Sequence, residues 1–140
     1  MKGSKFKIIS GIFILIIVCL FLILKIYNKP HTDIRNSKAD LIINAQNLLD
    51  EYQQDEAFAN KKFIDQIIQV NGSIFEISTL KGNIVLTLKS PDSESSIICH
   101  LLPEDNEKSL NLRKGQNVTI KGVCTGYLLD VIMVRCVIVK

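Results

Sequence analysis

Three cysteines outside the apolar N-terminal segment, Cys99, Cys124 and Cys136, are the residues with the clearest chemical potential. Residues 117–127 and 131–139 are predicted as neighbouring strands, and side-chain alternation places Cys124 and Cys136 on their inward faces. If the hairpin turns around residue 130, the two thiols lie opposite each other. We therefore expect a Cys124–Cys136 disulfide in an oxidising compartment, with buried reduced thiols as the alternative.

Other residue patterns give no basis for catalysis, a metal or a cofactor. Cys99 and His100 point to opposite faces of one strand, which argues against a shared metal ion. A redox enzyme commonly uses an accessible C-x-x-C thiol, and this motif is absent. Three neighbouring pairs of carboxylates are typical of solvated surfaces: Asp50/Glu51, Asp55/Glu56 and Glu104/Asp105. Since hydrolase and nucleotide-binding motifs are also missing, we expect no enzyme.

The positive charge of the chain belongs to its N-terminal segment. The whole chain has 17 basic and 14 acidic residues and a net charge of +3. Five lysines flank the apolar run: Lys2, Lys5, Lys7, Lys25 and Lys29. From His31 onward, 12 basic residues face all 14 acidic ones, which leaves a net charge of about −2. A basic isoelectric point thus gives no reason to expect nucleic-acid binding.

The run from Ile8 to Leu24 contains no charged residue and predicts a single transmembrane helix. Extension from Phe6 to Tyr27 supplies the length that a bilayer requires. The expected organisation is therefore an anchor and polar exit over residues 1–30, followed by one domain over residues 31–140. We expect a cytoplasmic N-terminus and a domain on the extracytoplasmic side, because a short tail before the anchor favours export of the longer part.

Two alternatives to a retained anchor share its basic and apolar layout. A cleaved signal peptide would need a small-residue cleavage site, and no A-x-A pattern follows Leu24. A lipoprotein would need small residues before Cys19, where the chain has Ile16, Ile17 and Val18. A retained signal-anchor is the favoured interpretation.

The domain is predicted to begin with one amphipathic helix, from Ser37 to about Ala59. Ser37 and Asp40 have the spacing of a capping box, and an apolar stripe follows at helical spacing. Beyond Lys62 the apolar period becomes two, which predicts strands. The strands cover Phe63 to Ile77 with a bend or bulge at Asn71-Gly72, then 84–88, 95–102, 117–127 and 131–139. A helical turn lies within the connection 103–116.

A bent first strand and an element between strands three and four indicate a mainly β, five-stranded OB-fold barrel. An open α+β sheet is the alternative. Several segments also resemble the tRNA-anti-like family of bacterial OB-fold proteins: Asp55 to Phe63, Val70-Asn71-Gly72, Gly115 to Gly122, Cys124 to Tyr127, Asp130-Val131 and Cys136. The resemblance covers about residues 40 to 139. It implies the fold and an anchored or exported protein, and it implies no activity.

The aromatic residues argue against nucleic acid as the ligand. The strands 84–88 and 95–102 contain no aromatic residue, although single-strand binders stack bases there. Tyr52, Phe58, Phe63 and Phe75 are expected to pack the helix onto the barrel. We therefore expect a membrane-anchored binding or interaction module with a protein partner. An oligonucleotide binder and a structural accessory subunit of an envelope complex are the alternatives.

Overall fold

The computed structural model describes the backbone of residues 2–27 and 33–139, and the side chains of residues 11–24 and 33–139. The chain divides into two compact units, an N-terminal helix and, from Asp33 onward, a β-rich domain. The predicted polar exit over 28–31 and the predicted boundary after Pro30 lie outside the described residues.

The first unit is one helix, α1, which runs from Lys2 to Tyr27. This confirms that Ile8 to Leu24 is helical, although the side chains of residues 8–10 lie outside the described residues. Within the part of the chain whose side chains are described, no helix is both long enough and apolar enough to cross a membrane. The structure therefore supports the predicted helix.

Six strands and three further helices form the described part of the second unit. Their bounds, with a 3-10 turn at Pro103–Asp105, are β1 Leu41–Asn44, α2 Ala45–Gln54, α3 Glu56–Phe63, β2 Ile67–Leu80, β3 Asn83–Lys89, β4 Ser96–Leu101, α4 Asn106–Ser109, β5 Asn117–Leu128 and β6 Asp130–Val139. Neighbours in the sheet follow the order β2-β3-β4-β6-β5, and β5 pairs back onto β2. The predicted five-stranded barrel is thus confirmed, and the open sheet is excluded.

Strand β2 closes the barrel because it changes partners along its length. Residues 67–73 pair with β5, whereas residues 73–80 pair with β3. Gly72 lies at this change of partner, where an added Cβ would come within 2.8 Å of the Ala45 Cβ in α2. The predicted bend is therefore real, and glycine is required there because α2 packs directly against the strand.

The predicted helix from Ser37 to Ala59 is wrong in its first part. Leu41–Asn44 forms the extra strand β1, which pairs in parallel with residues 68–71 of β2. The Asp40 carboxylate accepts a hydrogen bond from the Ile67 N–H at 2.8 Å and aligns the two strands. Pairing with a distant strand therefore overrides the helical spacing of the apolar residues.

The remaining part of that predicted helix is divided into α2 and α3 by two capping side chains. The Asn44 side chain accepts from the Asn47 N–H at 2.8 Å, and Asp55 accepts from the Phe58 N–H at 2.9 Å. Both are N-cap bonds, so each helix begins where its capping residue lies. Phe63 is the last residue of α3, not the first residue of a strand.

Two of the four aromatic residues pack as predicted. Tyr52 and Phe63 are fully buried between the helices and the barrel, with ring centroids 5.7 Å apart. Phe58 and Phe75, in contrast, are 61% and 56% exposed. The expectation that all four pack the helix onto the barrel is therefore wrong for Phe58 and Phe75.

The expectation that Asp105 lies on a solvated surface is also wrong, because its side chain is fully buried. Its carboxylate accepts from Arg35 Nη2 at 2.5 Å and from the Ile138 N–H at 2.7 Å, with Lys108 Nζ at 3.3 Å. Burial alone would raise the pKa of Asp105, but the hydrogen bonds from Arg35 and Ile138 outweigh it and lower that pKa. Asp105 thus joins Arg35, near the start of the domain, to Ile138 in β6.

Candidate functional site

The hairpin register places the two predicted disulfide cysteines apart along the strands. Cys124 pairs with Met133, because β-bulges near residues 122 and 125 shift the alignment of β5 and β6. The register on which the predicted bond rests is therefore wrong. In the structure Cys99, Cys124 and Cys136 are buried and not bonded to one another. The Cys124–Cys136 disulfide therefore stays a prediction, and the strand register does not support it.

Cys136 packs instead against Gly122. A Cβ added to Gly122 would lie 2.5 Å from the Cys136 Sγ and 3.1 Å from the Val134 carbonyl oxygen. The absence of a side chain at Gly122 thus makes the space that the thiol occupies. Both cysteines belong to the packing of the core.

Burial also sets the protonation of these thiols. Burial raises the pKa of Cys124, although a hydrogen bond with Tyr52 acts in the opposite direction. The pKa of Cys136 is raised well above its ordinary value, again chiefly by burial. Because the thiolate is the reactive form, both side chains are held in their unreactive state.

Cys99 and His100 lie on opposite faces of β4, as predicted. Cys99 is fully buried, whereas His100 is partly exposed on the outer face. Within the described residues, histidine, cysteine and carboxylate side chains form no group of three that could hold a metal ion.

A β-bulge in β2 creates the most distinctive surface feature. Ile74 pairs with Leu88 and Glu76 with Thr87, so Phe75 is an extra residue without a partner in β3. Ile74 is buried, and Phe75 and Glu76 are both exposed. Alternation with the buried Ile68, Val70 and Ile74 already places Phe75 on the outer face, and the bulge adds the exposed Glu76 directly after it.

The loop before β5 holds the bulge in place. The Gly115 N–H donates to the Ile74 carbonyl at 2.7 Å, and the Ile74 N–H donates to the Gln116 carbonyl at 2.9 Å. Gly115 has a φ of +83°, a conformation that side chains disfavour. Backbone hydrogen bonds of the Ile74 N–H and carbonyl therefore hold the strand in place directly before Phe75.

Two lysines accompany the ring in an open cavity of 440 Å³. Lys89 Nζ lies 5.2 Å from the Phe75 ring centroid, within the range of a cation–π contact. Lys114 lines the same cavity, next to Gly115. An exposed aromatic ring in a cavity lined by two lysines can stack on a flat ring and attract an adjacent negative charge.

A second cavity of 240 Å³ continues the first one. The two share Ser73, Lys89, Ser90 and Pro91, and together they form what we call the bulge groove. The second cavity adds four carboxamides: Asn44, Gln46, Asn71 and Asn117. The residues that line the bulge groove all belong to the described domain, and the charged ones among them are lysines. The bulge groove is therefore positive, although the domain as a whole is slightly acidic.

The position of Gln46 at the groove is set by neighbouring polar groups. Its Nε2 donates to Asp50 Oδ1 at 2.7 Å, and its Oε1 accepts from the Ser90 hydroxyl. This arrangement joins α2 to the loop after β3. The wall of the groove is therefore built by elements that are distant in sequence.

The face that OB folds usually use for oligonucleotides lacks these groups. The middle of the outer surface of β3 and β4 carries Val85 opposite His100 and Thr87 opposite Ile98. None of these four side chains is a lysine, arginine, phenylalanine or tyrosine. The observation that these two strands contain no aromatic residue is thus correct. It does not apply to the bulge groove, which lies beside them and contains Phe75.

Not all basic residues around the connection before β5 face the bulge groove. Lys108 contacts Asp105, and Lys121 donates to the Arg35 and Ser37 carbonyls at 3.0 and 2.8 Å. Lys114 lines the bulge groove. Phe75 and Lys89 were not predicted as groove residues, because Phe75 was expected to pack the helix onto the barrel. Alternation with Ile68, Val70 and Ile74 is the signal that places Phe75 on the outer face.

Comparison with known proteins agrees with this fold. The model of the tRNA_anti-like family matches residues 1–138. A lipoprotein of Klebsiella pneumoniae that is described as nucleic acid-binding aligns with a TM-score of 0.60 at 16% identity, over 70% of this chain and 91% of that one. A Leishmania major protein described as an aspartyl-tRNA synthetase aligns with a TM-score of 0.50 at 9% identity, over 85% of this chain and 25% of that one.

At these identities the structural likenesses show the fold alone. The chain also spans only a quarter of the Leishmania protein. A search of curated proteins gives no match.

Proposed function

The chain belongs to the tRNA_anti-like family, and on this premise we propose that it is a membrane-held binding module that takes single-stranded nucleic acid in the bulge groove. One observation carries the proposal: Phe75 is exposed at the bulge and shares with Lys89 and Lys114 a groove whose charged residues are lysines. The structural likeness to a lipoprotein that is described as nucleic acid-binding adds support.

The groups in the bulge groove match the parts of a single strand. The Phe75 ring offers a stacking surface for a base, and the two lysines neutralise phosphates. The carboxamides of the second cavity both donate and accept hydrogen bonds, as base edges and sugars require. A duplex would hide its base faces from Phe75, so a single strand is the preferred ligand.

Salt dependence tests the role of the lysines. Replacing Lys89 or Lys114 with glutamine removes one phosphate contact, so each change is expected to reduce the slope of log K against log salt by about 0.7. Fluorescence anisotropy with a labelled single strand at several salt concentrations measures this slope. Lys61→Gln, on the exposed side of α3, is the matched control. An affinity that does not change with salt would exclude nucleic acid as the ligand.

The membrane part of the proposal assigns α1 as the anchor, with the N-terminus in the cytoplasm and the domain outside. Its support is the exposure of the uncharged side chains from Gly11 to Leu24, which in water would form a large apolar surface. We expect the chain to stay in the membrane pellet after alkaline extraction and to be released only by detergent. Release by alkali without detergent would contradict the anchor. It would not affect the proposed binding of nucleic acid in the bulge groove.

A further inference from the structure

Three strands present polar side chains in register along the bulge groove. Asn44 of β1 is paired with Asn71 of β2, and Ser73 of β2 is paired with Asn117 of β5. Residues that are paired across strands share a face of the sheet, and so do Asn71 and Ser73, which are two positions apart in one strand. These four side chains therefore lie on one outer face, and we call them the polar ladder.

The polar ladder leads directly to the Phe75 ring. Phe75 follows Ser73 by two positions before the bulge begins, so the two residues share the outer face of β2. Ser73 is also paired with Lys89, whose Nζ lies 5.2 Å from the Phe75 ring centroid. A single strand that stacks one base on Phe75 thus has the polar ladder beside its neighbouring nucleotide.

The carboxamides of the polar ladder are open to a ligand. Asn44, Asn71 and Asn117 are all exposed. The Asn44 Oδ1 accepts from the Asn47 N–H, which leaves its Nδ2 as a donor for a ligand. Asn71 and Asn117 each offer both a donor and an acceptor. The polar ladder can therefore recognise a group that donates and accepts at the same time.

The other groups of the bulge groove cannot tell RNA from DNA. Lys89 and Lys114 attract phosphates, and Phe75 stacks on a base, but both polymers carry phosphates and bases. The chemical difference between the two polymers in the sugar is the ribose 2′-hydroxyl, which both donates and accepts a hydrogen bond. Any choice between RNA and DNA in this groove therefore falls to its uncharged polar side chains.

We propose, on the basis of the proposed function, that the bulge groove takes single-stranded RNA in preference to DNA, and that the polar ladder makes this choice by hydrogen bonding to the 2′-hydroxyl. A carboxamide that is covered by RNA exchanges its water for the hydroxyl. A carboxamide that is covered by DNA loses its water and gains no partner from the sugar, which carries a penalty. The lysines and Phe75 supply affinity, and the polar ladder supplies discrimination.

Fluorescence anisotropy with oligouridine and oligodeoxyuridine of equal length tests the preference, because the bases and phosphates are identical. The full chain in detergent micelles is expected to bind the RNA about tenfold more tightly, the effect of one or two net hydrogen bonds. Oligouridine with 2′-fluoro groups keeps the sugar shape of RNA but cannot donate a hydrogen bond. It is expected to bind as weakly as the DNA.

Two variants assign the preference to the polar ladder. Asn71→Ala and Asn117→Ala are each expected to reduce the ratio of RNA to DNA affinity about threefold, and unchanged DNA affinity shows that the variant is folded. Asn111→Ala removes an exposed carboxamide outside the bulge groove and should keep the full preference.

The outcomes separate this inference from the proposed function. Salt-sensitive binding of RNA and DNA with equal affinity would overturn the RNA preference and leave the proposed function standing. Absence of salt-sensitive binding to either polymer would remove both. A preference that survives in Asn71→Ala and Asn117→Ala, or that 2′-fluoro RNA shares, would contradict the role of the polar ladder, because it would come from another surface or from sugar shape.

Discussion

Replacing Phe75 by alanine is expected to weaken the affinity for a single-stranded oligonucleotide about 10- to 100-fold, because one stacked base contributes about 1–3 kcal/mol. The ring is 56% exposed and is not part of the buried core, so its loss removes the proposed stacking surface and leaves the core packing unchanged. The stability of the domain should therefore change little. Fluorescence anisotropy at constant salt measures the affinity, and thermal unfolding checks the fold.

Phe58 provides the matched control for this change. It is 61% exposed on α3 and does not line the bulge groove. Phe58→Ala should bind the oligonucleotide as the unaltered chain does. Equal losses in both variants would mean that exposed aromatic residues act non-specifically, and the bulge groove would lose its role.

Replacing Asp105 by alanine is expected to lower the free energy of unfolding by about 3 kcal/mol. The change removes the buried partner of Arg35 and leaves the Ile138 N–H without its acceptor. Urea unfolding of the full chain in micelles, followed by tyrosine fluorescence, measures the difference. Glu104→Ala, the exposed neighbour, should shift the value by no more than about 0.5 kcal/mol.

The same carboxylate predicts how stability responds to acid. Its pKa is lower in the folded chain than in the unfolded chain, so the charged form stabilises the fold. This contribution is fully present above the unfolded pKa of about 4 and is lost as the pH falls through the folded pKa. Asp105→Asn should therefore lose less stability than the unaltered chain below about pH 4. Parallel acid titrations of the two chains would contradict the assignment.

Much of the barrel could be predicted from the sequence, because its strands are set by local patterns. The period of two beyond Lys62, the turn residues and the break at Asn71-Gly72 are all visible in the residue order. They lead to five strands and a bent first strand, both of which the structure confirms.

The features that escaped prediction depend on distant partners. Leu41–Asn44 has helical spacing, yet it becomes a strand because β2 lies alongside it. Asp105 is buried because Arg35, 70 residues earlier, neutralises it. Neither the strand at Leu41–Asn44 nor the burial of Asp105 can be predicted from the neighbouring residues in the sequence.

The bulge groove was missed for a related reason. Phe75 is predicted to pack the helix onto the barrel, and alternation alone says nothing of where an extra residue enters a strand. A bulge is fixed by the pairing of two strands and by the loop at Gly115, and only the folded chain brings these together. The residues around the Phe75 ring consequently come from β2, the end of β3 and the loop before β5.

Photo-crosslinking with a single strand that carries iodouracil tests the central claim most directly. Mass spectrometry of the crosslinked full chain identifies the residue in contact with the base. The bulge groove predicts a crosslink at Phe75, which is abolished by an excess of unlabelled single strand and reduced less by duplex. A crosslink at Ile98 or His100, on the outer face of β4, or the absence of any competed crosslink would contradict it.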